Sequence, residues 1–165
     1  FQNGVNDAVI RRYFATTTPL TAKGKLALAR ALLSHGDRAQ AQQLVRETWR
    51  TDALSADMER QVLDNFGSLL SGGDHKVRMD RRLYADDEGA ALRAAQRLGA
   101  AQVAIVRAYA ALSDKSPKAK ALLDAVPSEV RGDTAYLFAR ARYLRRADQI
   151  DEAAKSDPNK PFSDG

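Results

Sequence analysis

The sequence predicts an all-α protein, an irregular α-solenoid of stacked helical hairpins resembling a tetratricopeptide superhelix. Three observations lead there. Ala and Leu dominate, β-branched residues are sparse and five prolines interrupt 165 residues, so propensity favours helix throughout. Apolar residues recur at three-and-four spacing in segment after segment, each closed by Gly, Pro or a capping side chain. The turns GDRAQA from Gly36, DDEGAA from Asp86 and DQIDEA from Asp148 each place an Ala five residues on, at Ala41, Ala91 and Ala153. Their intervals of 50 and 62 residues fit no single period, hence an irregular stack.

Taken in order, Asn6 or Asp7 caps a short helix to residue 15, with Val9, Ile10, Tyr13 and Phe14 as its core face, and Thr16 to Pro19 break it. Thr21 caps a second helix through Leu33, which Gly36 ends. Asp37 starts a third, with Ala41, Leu44, Val45, Thr48 and Trp49 on one stripe, and Trp49 reads as core. Ser55 caps a fourth, bearing Met58, Val62, Leu63 and Phe66 and running to Gly72 and Gly73. With Asp74 as N-cap, a helix over 75–85 has Met79, Leu83, Val77 and Tyr84 as its apolar side, with Arg78, Arg81 and Arg82 facing water.

Lys76 and Asp80, four apart on that apolar side, read as structural polar residues, and Asp80 is expected to meet a cation. After a short turn, a helix over 88–98 carries Ala91, Leu92 and Ala95, small residues that permit close packing. Gly99 precedes a deeply packed helix over 101–112. Ser116 and Pro117 open another over 118–126, which Pro127 ends. Asp133 caps a helix to residue 146, whose Tyr136, Leu137, Phe138, Tyr143 and Leu144 imply neighbours on several sides. Arg140, set between Tyr136 and Leu144, is a structural polar residue that needs a partner or a path to water. A last helix over 148–155 precedes a flexible tail, 156–165.

Few residues of the sequence stand in a pattern that carries chemistry. Cysteine is absent, so disulfides and thiol chemistry are too. His35 and His75 stand at helix ends without a third ligand, and no phosphate loop, dinucleotide fingerprint or nucleophile elbow occurs; no metal and no cofactor is expected. Glu47, Glu59, Glu88, Glu129 and Glu152 occupy surface, cap or turn contexts, so no catalytic residue is assigned. Cations exceed acids only 26 to 21 and are interspersed. Lys76, Arg78, Arg81 and Arg82, with Arg140, Arg142, Arg145 and Arg146, could bind a polyanion such as nucleic acid. Asp80, Asp86, Asp87 and Glu88 beside them, with no clearly exposed aromatic, argue against nucleic acid. No apolar run approaches a membrane span, and the chain, lacking an initiator Met, reads as a processed protein or an excised fragment.

Five stretches carry a family resemblance: PLTAKGKLALARALL from Pro19, LVRETWRTDALSADMERQVLDNFGSLL from Leu44, DHKVRMDRRLY from Asp74, ALLDAVPSEVRGD from Ala121 and AYLFARARYLRRAD from Ala135. Together they resemble the superhelical region of soluble lytic murein transglycosylases of the alphaproteobacterial type, over most of residues 1–154. The resemblance implies a periplasmic enzyme that cleaves peptidoglycan between N-acetylmuramic acid and N-acetylglucosamine without water, leaving a 1,6-anhydro end. It also implies a curved helical body and a separate lysozyme-like domain whose catalytic Glu is followed by Ser. No Glu here is followed by Ser and the lysozyme-like domain is absent from these residues, so no catalytic residue carries over. The expectation is a non-catalytic scaffold over 1–155, partnered by the glycan strand and its own catalytic domain, with Arg78, Arg81, Arg82, Arg142 and Arg145 as possible glycan or polyanion contacts. The alternative is a stand-alone helical-repeat adaptor for a protein or peptide.

Overall fold

The computed structural model describes residues 20–155; the helix expected before residue 16 and the tail 156–165 lie outside them. The described chain is all-α: α1 (Ala22–Ser34), α2 (Arg38–Thr51), α3 (Ala56–Phe66), a 3-10 turn (Gly67–Leu69), α4 (Gly72–Tyr84), α5 (Glu88–Leu98), α6 (Ala100–Ser113), α7 (Ala119–Asp124), a second 3-10 turn (Ser128–Val130) and α8 (Thr134–Lys155). Two compact units result, one ending at Leu98 and the other starting at Gly99.

In the first unit α1 pairs with α2, α2 with α4, and α4 with α5. The expected caps are in place: Thr21 Oγ1 accepts from Gly24 N and Ser55 Oγ from Met58 N, each at 3.1 Å. Trp49, Leu28, Leu32, Val45, Val62 and Phe66 centre one apolar cluster shared by α1, α2 and α3. The start of α4 differs from expectation. Ser71, not Asp74, is its N-cap, and Asp74 is the third helical residue of a reciprocal capping box, with Ser71 N donating to Asp74 Oδ2 at 2.8 Å and Asp74 N to Ser71 Oγ at 3.3 Å. Gly72 and Gly73 therefore open α4 instead of closing the helix before it.

In the second unit α6 packs against α7 and α8, and α7 against α8. Ile105, Val106, Tyr109, Leu112, Leu123, Val126, Tyr136 and Ala139 are its buried side chains of note. The two helices expected over 133–155 are one, because Ala147 between Arg146 and Asp148 is a strong helix former and nothing there breaks the ladder. Nor are the expected neighbours on several sides found among the described residues: α8 buries Ala135, Tyr136 and Ala139, while Leu137 and Leu144 are about half exposed, at 52% and 51%.

One junction recurs. At Gly36, Asp86 and Lys115 the backbone turns left-handed, with φ of 79°, 60° and 56°. In each case the next amide, of Asp37, Asp87 or Ser116, donates at 2.8 Å to the carbonyl five residues back, of Leu32, Arg82 or Ala111. This is the six-to-one closure that ends a helix and reverses the chain. Ala41 and Ala91 then donate to Asp37 O and Asp87 O at 3.0 Å, and both are fully buried where their hairpins close. The third copy falls at Lys115. Asp148, the expected third turn, lies inside α8.

Candidate functional site

The arginines of α4 do not face water together. Arg78 is fully buried, contrary to expectation, and so is Glu59, which the sequence placed in a surface or cap context. At 100° per residue Arg78 falls about 100° from Met79, whereas Val77 and Tyr84 fall about 140–160° away, so the buried arc runs through Asp74, Arg78, Met79 and Leu83. Tyr84 is accordingly 42% exposed.

What Arg78, Arg81 and Arg82 do is cap α2. A helix end leaves its last carbonyls without intrahelical donors. Arg78 Nη1 donates to Trp49 O at 2.8 Å and Asp52 O at 2.7 Å, Arg81 Nη1 to Arg50 O at 3.3 Å and Arg82 Nη2 to Thr51 O at 3.4 Å. Four consecutive carbonyls are thereby served by cations, which also suit the negative end of the helix dipole. Arg78 Nη2 reaches Glu59 Oε1 at 3.1 Å, Arg93 Nε reaches Glu59 Oε2 at 2.6 Å, and the Arg78 guanidinium lies 4.6 Å from the centre of the Trp49 ring. Burial lowers the Arg78 pKa and Glu59 opposes it; the hydrogen bond to Glu59 raises that of Arg93. Lys76 Nζ and Asp80 Oδ1 pair at 2.6 Å on the flank of α4.

Asp74 is the second buried acid of this unit. Burial would raise its pKa, but hydrogen bonds from the Ser71 amide, Arg50, Arg46 and the Ser71 hydroxyl outweigh that and hold it at about 2. Next to it, His75 Nδ1 accepts from Trp49 Nε1 at 3.1 Å, so the imidazole carries its proton on Nε2. Burial first, then Arg97 and Arg78, push the His75 pKa down against the opposing pull of Asp74. Arg46, Arg50 and Arg81 line a shallow hollow with Gln42, Gln43 and Glu47; two of its three cations are engaged by Asp74.

The second unit carries its cations differently. Arg142 Nη1 donates to Tyr109 Oη at 3.2 Å, and its guanidinium stands 5.5 Å from the Tyr109 ring and 6.0 Å from Phe138, which is 46% exposed; an exposed aromatic is therefore present after all. Arg140 Nη1 donates to Tyr136 Oη at 3.4 Å. Arg131 caps α7 through Val126 O at 2.9 Å and Asp124 O at 2.8 Å, and Arg146 Nη1 reaches Leu112 O at 3.4 Å. Arg142, Arg145 and Arg146 line one hollow with Lys115. The structure thus joins Arg142 to Arg145, as their spacing on one helix allows, while Lys115 was missed. Its signal was the DKS sequence after Leu112, which occupies the same turn as HGD at residues 35–37.

Among the described residues no group of three His, Asp or Glu side chains is placed to hold a metal, and no helix is long and apolar enough to cross a membrane. Comparison of the chain with protein-family models, with curated proteins and with solved structures finds no match.

Proposed function

We propose that this chain is a non-catalytic helical scaffold segment of a periplasmic peptidoglycan lytic transglycosylase, which positions the glycan strand for a separate catalytic domain. The observation that carries the reading is the recurrence of one helix-reversing turn at Gly36, Asp86 and Lys115, a joint that a stack of helical hairpins would repeat. The acids support it too. Glu59 and Asp74 are each held by two guanidinium groups, and the Asp74 pKa is pulled down, the reverse of what a general acid for glycoside cleavage requires. Outward arginines such as Arg145, and Arg142 beside the exposed Phe138 ring, suit a strand whose sugars stack on aromatics and whose peptide stems bear carboxylates.

Co-sedimentation with purified sacculi tests the proposal. The chain is expected in the pellet, with no anhydro-muropeptide in the supernatant. A chain that stays in solution, or that releases muropeptides, contradicts it. A second reading, an adaptor for a protein or peptide, is favoured by a groove of about 620 Å3 where Tyr143, Ala147 and Ile150 of α8 face Pro117 and Ala119 at the start of α7. A protein partner retained by the chain and lost on Ile150→Asp would favour it.

A further inference from the structure

The hollow at the C-terminal end of α6 has a volume of about 300 Å3 and is lined by Ser113, Lys115, Arg142, Arg145 and Arg146, with Leu112 and Gln149. Four of those seven side chains are cations and none is an acid. Capping the helix does not account for them. A helix C-terminus carries roughly half a negative charge, and Arg146 already answers it through Leu112 O. At α7 a single arginine, Arg131, performs that task, and where three arginines gather at the end of α2 each donates to a carbonyl, whereas at α6 Arg142 donates to the Tyr109 hydroxyl instead.

Three further features fit a ligand. Lys115 and Arg145 make no ion pair among the described residues, which leaves both ammonium and guanidinium for an incoming anion. Lys115 holds a left-handed backbone, φ 56°, at the position where the turn at residue 36 uses glycine. A residue with a Cβ is strained there, and strain retained at a residue lining a hollow points to a role for its side chain. Stacking on Tyr109 and Phe138 limits the rotamers of Arg142 and so prepares part of the wall.

We infer that this hollow is an oxyanion site: it takes a carboxylate or phosphate group, bound by Lys115, Arg145 and Arg146. Guanidinium forks and an ammonium around one oxyanion are the usual solution to that recognition problem. The site stands whether or not the chain binds peptidoglycan.

The test is a two-dimensional amide NMR titration of the full chain with sodium phosphate and, separately, sodium citrate, each against sodium chloride at equal ionic strength. Saturable shifts of the Ser113 and Lys115 amides are expected with at least one of them, and which salt acts tells phosphate from carboxylate. Lys115→Gly separates ligand binding from folding, because it should raise the melting temperature by relieving the turn while weakening the anion about tenfold. Arg145→Gln should weaken it to a similar degree with the melting temperature unmoved. Shifts no larger than those in chloride, or two variants that bind as tightly as the parent chain, would overturn the assignment.

Discussion

Asp74 makes the stability of the fold depend on pH. Its pKa is about 2 in the folded chain against an ordinary 3.8, a depressed acid, so its stabilisation is fully present above pH 4 and fades as pH falls towards 2. The difference amounts to about 2 kcal/mol. Asp74→Asn should therefore cost about 2 kcal/mol in urea unfolding at pH 7 and little at pH 2; an equal cost at both would show that the charge is not what matters. Arg78 makes a stronger claim. Replacing it with Met leaves Trp49 O and Asp52 O without donors and Glu59 with one guanidinium fewer, and breaking a buried pair costs about 3–5 kcal/mol. A loss under 1 kcal/mol in the same assay would refute the network. Little of this was legible in the sequence. Thr21 and Ser55 announce their caps because a hydroxyl and the amide it binds are three residues apart, whereas Arg78 meets Glu59 across 19 residues and Asp52 across 26. A charge on a helix is read as solvated until its distant partner is known.

The helix-reversing turn dominates the element scale. Glycine adopts the left-handed backbone freely, and other residues there are strained by about 1 kcal/mol. Gly36→Ala should lower stability by about 1 kcal/mol and Asp86→Gly should raise it by about the same or less, both read from melting temperature. Space is not the obstacle at Gly36, since a Cβ there meets nothing within 4 Å. Helix boundaries were legible where a turn residue or a capping hydroxyl stands, as at 88–98, where expectation and structure coincide. They were not legible at Asp148, because Asp between Ala147 and Gln149 is also a helix interior when no glycine precedes it. The double glycine at 72–73 misled for the related reason that glycine is tolerated in a first turn as well as after a last one.

At the scale of the whole chain, composition and periodicity were enough for the all-α class, because that property is summed over many residues and survives local errors. The candidate site was less legible. Arg142 and Arg145 share a helix and could be grouped by spacing, but Lys115 joins them only through the fold of the second unit. Arg78, Arg81 and Arg82, grouped by the same logic, turn out to cap α2, so equal spacing carried opposite meanings in the two units. The scaffold reading meets its most direct test in a saturation curve for the chain sedimenting with increasing amounts of purified sacculi, run beside chitin, which has the glycan backbone without acidic stems. Saturable binding to sacculi that added salt weakens is expected, with much weaker binding to chitin. A flat line with sacculi, or equal retention on both polymers, would contradict it.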